Sequence, residues 1–297
     1  MSEGKKEKIN VLSLFDGISC GQIALERVGI EVENYFASEI DIYAINICKN
    51  NYRNTKPIGS VIDVDLVELP KIDLLIGGSP CQDLSMIKKD GQGLNGDKSR
   101  LFWEYIRIKN ELQPKYFLLE NVVMKKKWKD EMTKALGVEP IEINSSDFCG
   151  QNRPRLYWTN IPIAEWSKKD IVLEDILFDD RNKMCNDFTI VKKLSTERLS
   201  KCNQIGFVKK NRQGKRIYDI KGKHACLTGS RDGGGYLTNY IYDGTTCREL
   251  SVTECERLQT IPDGYTKGFS DTQRFKAIGN GWTVDVIAHI FSSLKKV

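Results

Sequence analysis

Histidine is scarce in this sequence, and only His224 and His289 occur among its 297 residues. Nine cysteines accompany them, an odd number without a C-x-x-C pair, so neither a disulfide framework nor a zinc site is predicted. Apolar runs are short, and none approaches the roughly eighteen residues that a membrane-spanning helix requires. Residues 1–8 are mostly charged, and no signal-peptide stretch follows them. We therefore expect an intracellular protein with no metal site and no membrane segment.

Internal repeats, low-complexity tracts and the G-x-G-x-x-G dinucleotide fingerprint are also missing. Short apolar segments instead alternate with helical patterns. Strands are predicted over residues 9–15, 35–38, 58–62, 72–76 and 116–119, with helices ending near residues 28, 51 and 112. Such alternation is typical of an α/β fold with a doubly wound, mostly parallel sheet, which binds ligands at the carboxyl ends of its strands.

The pattern changes after residue 160, where short mixed strands replace the alternation. We predict a first domain over residues 1–160 and a small mixed, mostly β domain over residues 161–247. Residues 248–297 become helical again and are expected to return to the first domain. A last helix is expected to open at residues 277–282.

Cys81 follows a predicted buried strand and the turn-forming residues Gly77, Gly78 and Pro80. Glycines permit close backbone approaches, and the proline fixes φ just before the thiol. A free cysteine is more often a buried core residue, but this turn favours an exposed, positioned thiol. By itself, such a thiol fits a redox cysteine, a thioester enzyme or a nucleophile of another kind.

Acidic residues end three further predicted strands. Asp16 opens a glycine turn after the first strand, Glu39 follows the second, and Glu120 ends the strand of residues 116–119. A carboxylate about twenty residues after a glycine turn is where α/β nucleotide-binding proteins bind ribose hydroxyls. If the strands are parallel, these three carboxylates and Cys81 meet at one edge of the sheet.

Positive charge is concentrated in residues 191–231, which hold eight lysines and four arginines against Glu197 and Asp219. A solvated lysine-rich face and a polyanion-binding surface are both compatible with this composition.

Six motifs in order resemble those of the C5-cytosine DNA methyltransferases, and the match covers nearly all of the chain outside residues 161–247. They are Phe15-Asp16-Gly17, Pro80-Cys81-Gln82, Glu120-Asn121-Val122, Gln151-x-Arg153-x-Arg155, the Arg248 to Pro262 segment and Gly279-Asn280. In finer detail they look like the animal de novo branch and its phage and bacterial relatives, which implies the cytoplasm of a bacterial or phage-infected cell.

This resemblance implies a Rossmann-like fold that binds S-adenosylmethionine, and it implies specific catalytic roles. Cys81 would add to C6 of cytosine, which makes C5 nucleophilic toward the methyl donor. Glu120, if protonated or sharing a proton, would hydrogen-bond N3 and the exocyclic amine, and Arg155, helped by Arg153, would meet O2. Since C6 is inaccessible inside a duplex, the target base must be flipped out.

The resemblance also implies a cofactor site. Phe15 is assigned to the sulfonium and adenine side, backbone groups from Asp16 to Ser19 to the amino-acid part, and Glu39 to the ribose. Ile40 is assigned to the adenine face, with Asn280 and Trp282 closing the site. The family's acidic residue at the adenine amine is replaced by Ser60 here, so either Ser60 or Asp63 is expected to serve. The full predicted set is Phe15, Asp16, Gly17, Ile18, Ser19, Glu39, Ile40, Asp63, Pro80, Leu101, Asn280, Trp282 and Val284.

Residues 161–247 occupy the place of the target-recognition domain, which would bind double-stranded DNA. The predicted DNA-binding residues are Arg212, Lys215, Arg216, Thr228, Ser230 and Arg231. Two alternatives remain, a tRNA cytosine-5 methyltransferase and a non-catalytic DNA-binding paralogue. Relatives of the de novo branch can associate through the recognition domain, but no self-complementary patch in this sequence demands a homodimer.

Overall fold

The computed structural model describes residues 8–81, 84, 93–96, 98–178, 184–209, 215–229 and 240–296. The chain divides into two compact units. One comprises Met1–Ile143, Pro154–Glu165 and Ile287–Val297, and the other comprises Asn144–Arg153 and Trp166–Val286. No helix in the described part of the chain is long and apolar enough to cross a bilayer.

A seven-stranded sheet forms the first unit, in the order β3-β2-β1-β4-β5-β7-β6. The elements are β1 (Ile9–Leu14), α1 (Cys20–Arg27), β2 (Val32–Ser38), α2 (Ile42–Asn51), β3 (Lys56–Gly59), β4 (Leu74–Gly78), α3 (Phe102–Leu112), β5 (Tyr116–Val122), α4 (Lys126–Leu136), β6 (Ile141–Asn144) and β7 (Pro154–Thr159). Strands β1 to β5 pair in parallel, and β7 runs antiparallel to β5. The predicted α/β fold with a mostly parallel sheet is confirmed.

The sheet has its topological switch at β1, which pairs with β2 on one side and β4 on the other. Open α/β sheets bind ligands at the carboxyl ends of the strands at such a point. Leu12, Leu14 and Leu75 are fully buried in these central strands. The glycine turn and the Cys81 turn therefore follow two central strands with fully buried side chains.

Helix α3 shows why Gly77 is needed beside the site. Its residues Phe102, Tyr105 and Ile108 are fully buried on one face. A Cβ on Gly77 would lie 3.0 Å from both the Tyr105 ring and the Leu14 carbonyl oxygen, closer than ordinary packing allows. The absent side chain lets α3 pack directly on β4.

The second unit contains a five-stranded mixed sheet in the order β12-β11-β10-β9-β8. Its elements are β8 (Phe188–Ile190), β9 (Gln204–Val208), β10 (Arg216–Asp219), β11 (Tyr240–Tyr242), β12 (Cys247–Glu249), α5 (Val252–Leu258) and α6 (Asp271–Asn280). Helix α7 (Val284–Phe291) follows, and its residues from Ile287 onward belong to the first unit. Only β10 and β11 pair in parallel; the other neighbours are antiparallel.

The compact units divide the chain differently from the boundaries that we predicted from composition. Residues 248–286 were expected to return to the first domain, yet they belong to the second unit. The reason is a shared core, in which Leu258 of α5 and Ile278 of α6 are buried with Tyr218 and Ile241 of the mixed sheet.

Candidate active site

Strand register brings the predicted residues of the first unit to one edge of its sheet. Leu14 is the register partner of Ser38 in β2 and of Gly77 in β4, and Gly78 is the partner of Glu120 in β5. The segments that follow β1, β2 and β4 therefore begin at the same edge of the sheet, and Glu120 lies at that edge as well. The convergence predicted from the sequence is present.

Cys81 lies three residues beyond β4 and is half-buried. The turn before it is fixed by Asn121, whose side-chain amide donates to the Ser79 carbonyl oxygen at 3.2 Å and to its Oγ at 3.0 Å. Asn121 is 1% exposed and Ser79 is 5% exposed, so water competes little for these bonds. Sequence reasoning gave Asn121 no role, although its place directly after Glu120 at a strand end was a usable signal.

Glu120 forms an ion pair with Arg155. The distance from Arg155 Nε to Glu120 Oε1 is 2.9 Å, and the two side chains are only 14% and 11% exposed. The antiparallel pairing of Val122 with Arg155 places the arginine on the neighbouring strand, β7. This low-exposure pair presents a carboxylate and a guanidinium at a fixed spacing, which suits recognition of a planar polar ring.

Arg153 takes no part in the Glu120–Arg155 ion pair. We expected it to assist Arg155, but its contacts do not support that role. Its guanidinium is buried and donates to three backbone carbonyl oxygens, those of Leu227 at 2.8 Å, Gly279 at 3.3 Å and Gly281 at 2.9 Å. Because β7 begins at Pro154, Arg153 precedes the strand, and the alternation that we assumed for the two arginines does not apply to it.

The glycine turn after β1 is held by its own backbone. The N–H of Asp16 donates to the Ser38 carbonyl at 3.1 Å, that of Gly17 to Glu39 Oε2 at 2.8 Å, and that of Ser19 to the Asp16 carbonyl at 3.1 Å. The N–H groups of these three residues therefore shape the turn, and the contact between backbone groups of residues 16–19 and an amino-acid ligand stays a prediction. The Ile18 side chain is fully buried.

Backbone strain accompanies this turn. Phe15 has φ 57° and Ser19 has φ 58°, in a region that side-chain-bearing residues rarely adopt. Such strain persists only where the surroundings enforce it, and it is concentrated at functional sites. The half-buried Phe15 packs against the main core of the first unit.

Asp16 lies inside a cage of hydroxyl groups beneath the turn. Tyr35 Oη donates to its Oδ1 at 2.8 Å, and Ser19 Oγ donates to its Oδ2. Burial raises the pKa of Asp16 to about 6; hydrogen bonds from Ser13, Ser19 and Tyr35 oppose this rise, and the charge of Glu39 adds to it. The turn thus contains a carboxyl group that titrates near neutrality.

Two exposed apolar side chains follow the ends of β2 and β3. Ile40 is 77% exposed and Ile62, which follows β3, is 56% exposed. Both Glu39 oxygens accept backbone N–H groups, Oε2 from Gly17 and Oε1 from Ile40 and Asp41, yet a carboxylate offers about four acceptor positions. The arrangement suits an adenosine, with a carboxylate at the ribose and aliphatic walls at the base. Ile62 was missed in the sequence.

Ser60 and Asp63 occupy a short 3-10 turn, Val61–Asp63, that follows β3. Ser60 Oγ caps this turn by accepting from the Ile62 N–H at 3.3 Å, and Asp63 is exposed. Ser60 directly follows Gly59, the register partner of Ser38. Ser60 and Glu39 are therefore the first residues after a register pair, Ser60 after Gly59 and Glu39 after Ser38. Pro80 and Leu101, also predicted at the cofactor, are both half-buried.

Three predicted cofactor residues lie in the second unit. Asn280 is exposed and Trp282 is half-buried. Val284 is fully buried, and its N–H donates to the Gln259 carbonyl at 2.9 Å. Neither its side chain nor its amide is available to a ligand, so its predicted cofactor contact is wrong.

Of the predicted DNA-binding residues, Arg212, Ser230 and Arg231 lie outside the described part of the chain. Lys215 is exposed, with Nζ 3.3 Å from Tyr240 Oη. Arg216 is half-buried, and its Nε is buried without a hydrogen-bond partner among the described residues. The Thr228 hydroxyl is buried as well and has no partner there.

Comparison with known proteins gives consistent matches over the whole chain. The model of the family described as C-5 cytosine-specific DNA methylase matches residues 9–296. Type II methyltransferase M.HhaI of Haemophilus parahaemolyticus is 28% identical over 95% of this chain and 93% of its own length. Orphan methyltransferase M.SPRI of Bacillus phage SPR is 28% identical over 91% of this chain and 74% of its own.

Solved structures show the same fold at lower identity. Entamoeba histolytica methyltransferase EhMeth matches with a TM-score of 0.69 at 17% identity, over 97% of this chain and 99% of the other. The S. pombe Dnmt2 methyltransferase matches with a TM-score of 0.65 at 18% identity, over 98% and 99% of the two chains.

Proposed function

The chain belongs to the C-5 cytosine-specific DNA methylase family, and on that premise we propose that its Cys81 thiolate attacks C6 of a cytosine flipped out of duplex DNA. Membership makes the protein a DNA (cytosine-5)-methyltransferase that uses S-adenosylmethionine. Family membership does not establish the covalent route, the side chains that take part in it or the double-stranded form of the substrate, so these three points are the content of the proposal.

The observation that supports this proposal is that the Cys81 turn and the Glu120–Arg155 pair lie at the same edge of the sheet. Gly78 and Glu120 are register partners, and Val122 and Arg155 are partners on the other side of β5. A nucleophile and a charged pair for a heteroaromatic ring are thus supported by three adjacent strands.

In the proposed mechanism the Cys81 sulfur forms a bond to C6, and the electron pair of the C5–C6 double bond moves so that C5 becomes nucleophilic. Negative charge develops at N3 and O2 of the ring. Glu120, carrying a proton on one carboxyl oxygen, donates to N3 and accepts from the exocyclic amine through the other oxygen, and the Arg155 guanidinium stabilises O2 while it holds Glu120 in place. After C5 gains the methyl group, its proton leaves to a base, the C6–sulfur bond breaks and the thiolate is regenerated.

S-adenosylmethionine supplies the methyl group when it is bound. The chain fits its adenosine part, since Glu39 can accept from ribose hydroxyls and Ile40 and Ile62 offer apolar surface to the purine. Ser60, which directly follows the register partner of Ser38, is proposed at the adenine edge in preference to Asp63. The Glu39–Gly17 hydrogen bond ties this pocket to the strained turn at Phe15.

DNA is the proposed substrate, and the base must leave the helix because C6 is shielded by stacking. The recognition role is proposed for the second unit, in which Lys215 is exposed toward solvent. A restriction-associated methylase and an orphan methylase would perform the same reaction, and the relatives include both kinds.

The decisive test is transfer of labelled methyl groups from S-adenosylmethionine to duplex DNA. Cys81→Ser is expected to lower transfer by several orders of magnitude and to leave cofactor binding largely intact, because the cofactor pocket uses other side chains. Cys185→Ser, a change at another half-buried cysteine, is the control and should retain activity.

Full activity of Cys81→Ser would refute the covalent role. Adding tRNA to the same assay as a competitor separates the two nucleic acids, and preferential methylation of tRNA would overturn DNA as the substrate.

A further inference from the structure

The mixed sheet of the second unit closes on itself into a barrel. Residues 184–190 form one segment whose two ends pair with opposite edges of the sheet. At its start, Met184 forms an antiparallel bridge with Arg248 of β12. At its end, β8 pairs with β9. We call the contact of residues 184–185 with β12 the barrel seam, because the first strand of the sheet meets the last one there.

Two cysteines lie opposite each other across the barrel seam. The bridge between Met184 and Arg248 sets the register, so Cys185 is opposite Cys247, and the Cys185 N–H donates to the Cys247 carbonyl oxygen at 2.8 Å. Opposite residues in a hydrogen-bonded antiparallel pair have Cα atoms about 5.5 Å apart. A disulfide requires roughly 4.4–6.8 Å between the two Cα atoms. The spacing across the seam therefore suits a disulfide without a movement of the backbone.

Both cysteines contact the interior of the barrel. Cys247 is 2% exposed and is buried with Ile205, Ile217 and Tyr240. Cys185 is half-buried and packs against the same cluster. Burial raises the pKa of the Cys247 thiol, and the neighbouring Cys185 thiol adds to this rise. The two sulfur atoms are therefore neighbours, as the strand register requires.

Packing as a small apolar side chain is the ordinary role of a buried cysteine. Cys149 and Cys255 of the same unit fit this role, since each is 1% exposed. Cys185 differs from them because it is accessible to solvent and lies beside a second thiol. The odd number of cysteines in the chain argues against a disulfide framework, but it is compatible with one reversible pair.

We propose that Cys185 and Cys247 are a reversible disulfide site that locks the barrel seam on reaction with a low-molecular-weight disulfide. The more accessible Cys185 reacts first: its thiolate attacks one sulfur of the oxidant and releases one small thiol. Cys247 then loses its proton and attacks the Cys185 sulfur of the mixed disulfide, which releases the second small thiol. Two protein thiols are oxidised to one disulfide, and the oxidant is reduced to two thiols.

The bond would join the ends of a loop of about 60 residues, and such a crosslink stabilises a fold mainly by restricting the unfolded chain. Thiol–disulfide exchange runs in both directions, so an excess of reductant reopens the seam. The inference goes beyond the proposed function and uses none of the residues assigned to methyl transfer.

The experiment uses the full chain with Cys81→Ser, so that the nucleophile proposed for methyl transfer does not react. The reduced protein is incubated with glutathione disulfide, its remaining thiols are labelled with a maleimide after unfolding, and its mass is measured. We expect the loss of two free thiols without bound glutathione and a crosslinked Cys185–Cys247 peptide after proteolysis. The melting temperature should rise by roughly 5 °C or more, and dithiothreitol should reverse all three changes.

Two variants divide the reaction into its steps. Cys247→Ala should retain one glutathione at Cys185 and show no rise in melting temperature, whereas Cys185→Ser should leave the buried Cys247 unreacted. Cys202→Ser is the matched control, because Cys202 is another half-buried thiol of the second unit, and it should keep the crosslink.

Two separate glutathione adducts, unreacted thiols at both positions, or a crosslink between other cysteines in place of this one would each overturn the proposal. None of these results touches the proposed function, which is measured separately as methyl transfer by the reduced protein with Cys81 intact.

Discussion

At the scale of single residues, the site depends on polar groups that other side chains hold in place. Asp16 is the clearest case, because its carboxyl lies under the turn that carries Phe15 and Gly17 and is bound by Tyr35 and Ser19. The hydroxyl groups stabilise the charged form, but burial dominates and raises the pKa to about 6. The price of this arrangement is a dependence of stability on pH.

Asp16→Asn is expected to remove that dependence. A carboxyl whose pKa rises from 3.8 in its ordinary state to about 6 in the folded protein contributes its full stabilisation at low pH and loses it as the pH rises through about 6. The asparagine variant cannot ionise, so its melting temperature relative to the parent should increase from about pH 4 to about pH 6 and stay level at higher pH. Thermal unfolding across this range measures the difference, and two parallel curves would contradict it.

The Glu120–Arg155 pair supports a prediction about both activity and stability. Arg155→Met leaves a poorly solvated carboxylate without its partner, so we expect a loss of roughly 10²-fold or more in kcat and of about 3 kcal/mol in the free energy of unfolding. Arg155→Lys keeps the charge and should recover more stability than activity.

The control for this pair is Arg107→Met. Arg107 lies 2.8 Å from Glu104, but the two side chains are 36% and 28% exposed, so the change should alter stability by less than about 1 kcal/mol and leave kcat unaltered. Equal effects of the Arg155 and Arg107 changes in single-turnover and denaturation experiments would count against the assignment.

At the scale of elements, the sequence predicts most strands and helices of the first unit, because their patterns are local. Helix α2 ends at Asn51, where its end was predicted, and β1 and β5 were predicted within a few residues. The strand expected over residues 58–62 instead ends at Gly59, whose φ of 75° breaks it. Helix α4 was overlooked, although Trp128, Met132 and Leu136 recur at four-residue spacing and are buried.

The sequence predicted the site residues that lie at strand ends. It did not predict contacts with backbone carbonyls that are far away in the sequence. Cys81, Glu39 and Glu120 follow or end strands, so their convergence follows from the fold class. The carbonyl partners of the Arg153 guanidinium lie 74 to 128 residues away along the chain, and no local pattern indicates them. Residues 277–280, which we expected to open the last helix, instead end α6.

Helix α5 provides a stability prediction at this scale. Ser251 Oγ accepts from the Glu254 N–H at 3.1 Å, and the Ser251 N–H donates to Glu254 Oε2 at 2.7 Å, both in a buried setting. Ser251→Ala should cost about 1 kcal/mol or more and lower the melting temperature by roughly 2–4 °C. Ser270→Ala removes the same capping motif at α6, where it is exposed, and should cost less since water replaces the missing hydroxyl.

At the scale of the whole molecule, the cations of residues 191–231 fall into two groups, those with partners in the fold and those exposed to solvent. Among the first, Arg198 forms an ion pair with Asp175 at 2.6 Å and Lys221 forms one with Glu174 at 2.7 Å. Lys223 is buried, and its Nζ donates to the Ser146 and Cys149 carbonyl oxygens at 2.9 and 3.1 Å. Desolvation lowers the pKa of Lys223. The sequence could not separate these lysines from exposed ones, because their partners lie elsewhere in the chain.

The remaining exposed cations, Lys215 among them, are therefore the ones expected to meet phosphates. Each neutralised phosphate releases condensed counterions, so the slope of log affinity against log salt concentration changes by about 0.9 for every phosphate that is no longer neutralised. Lys215→Ala should reduce the slope by about this amount and weaken binding similarly on all duplex sequences. Lys221→Ala removes the same charge from a residue already paired with Glu174 and should leave the slope nearly unchanged while lowering stability. Fluorescence anisotropy with duplex DNA at several salt concentrations measures both slopes, and equal reductions would show that total charge, rather than the exposure of individual lysines, governs DNA binding.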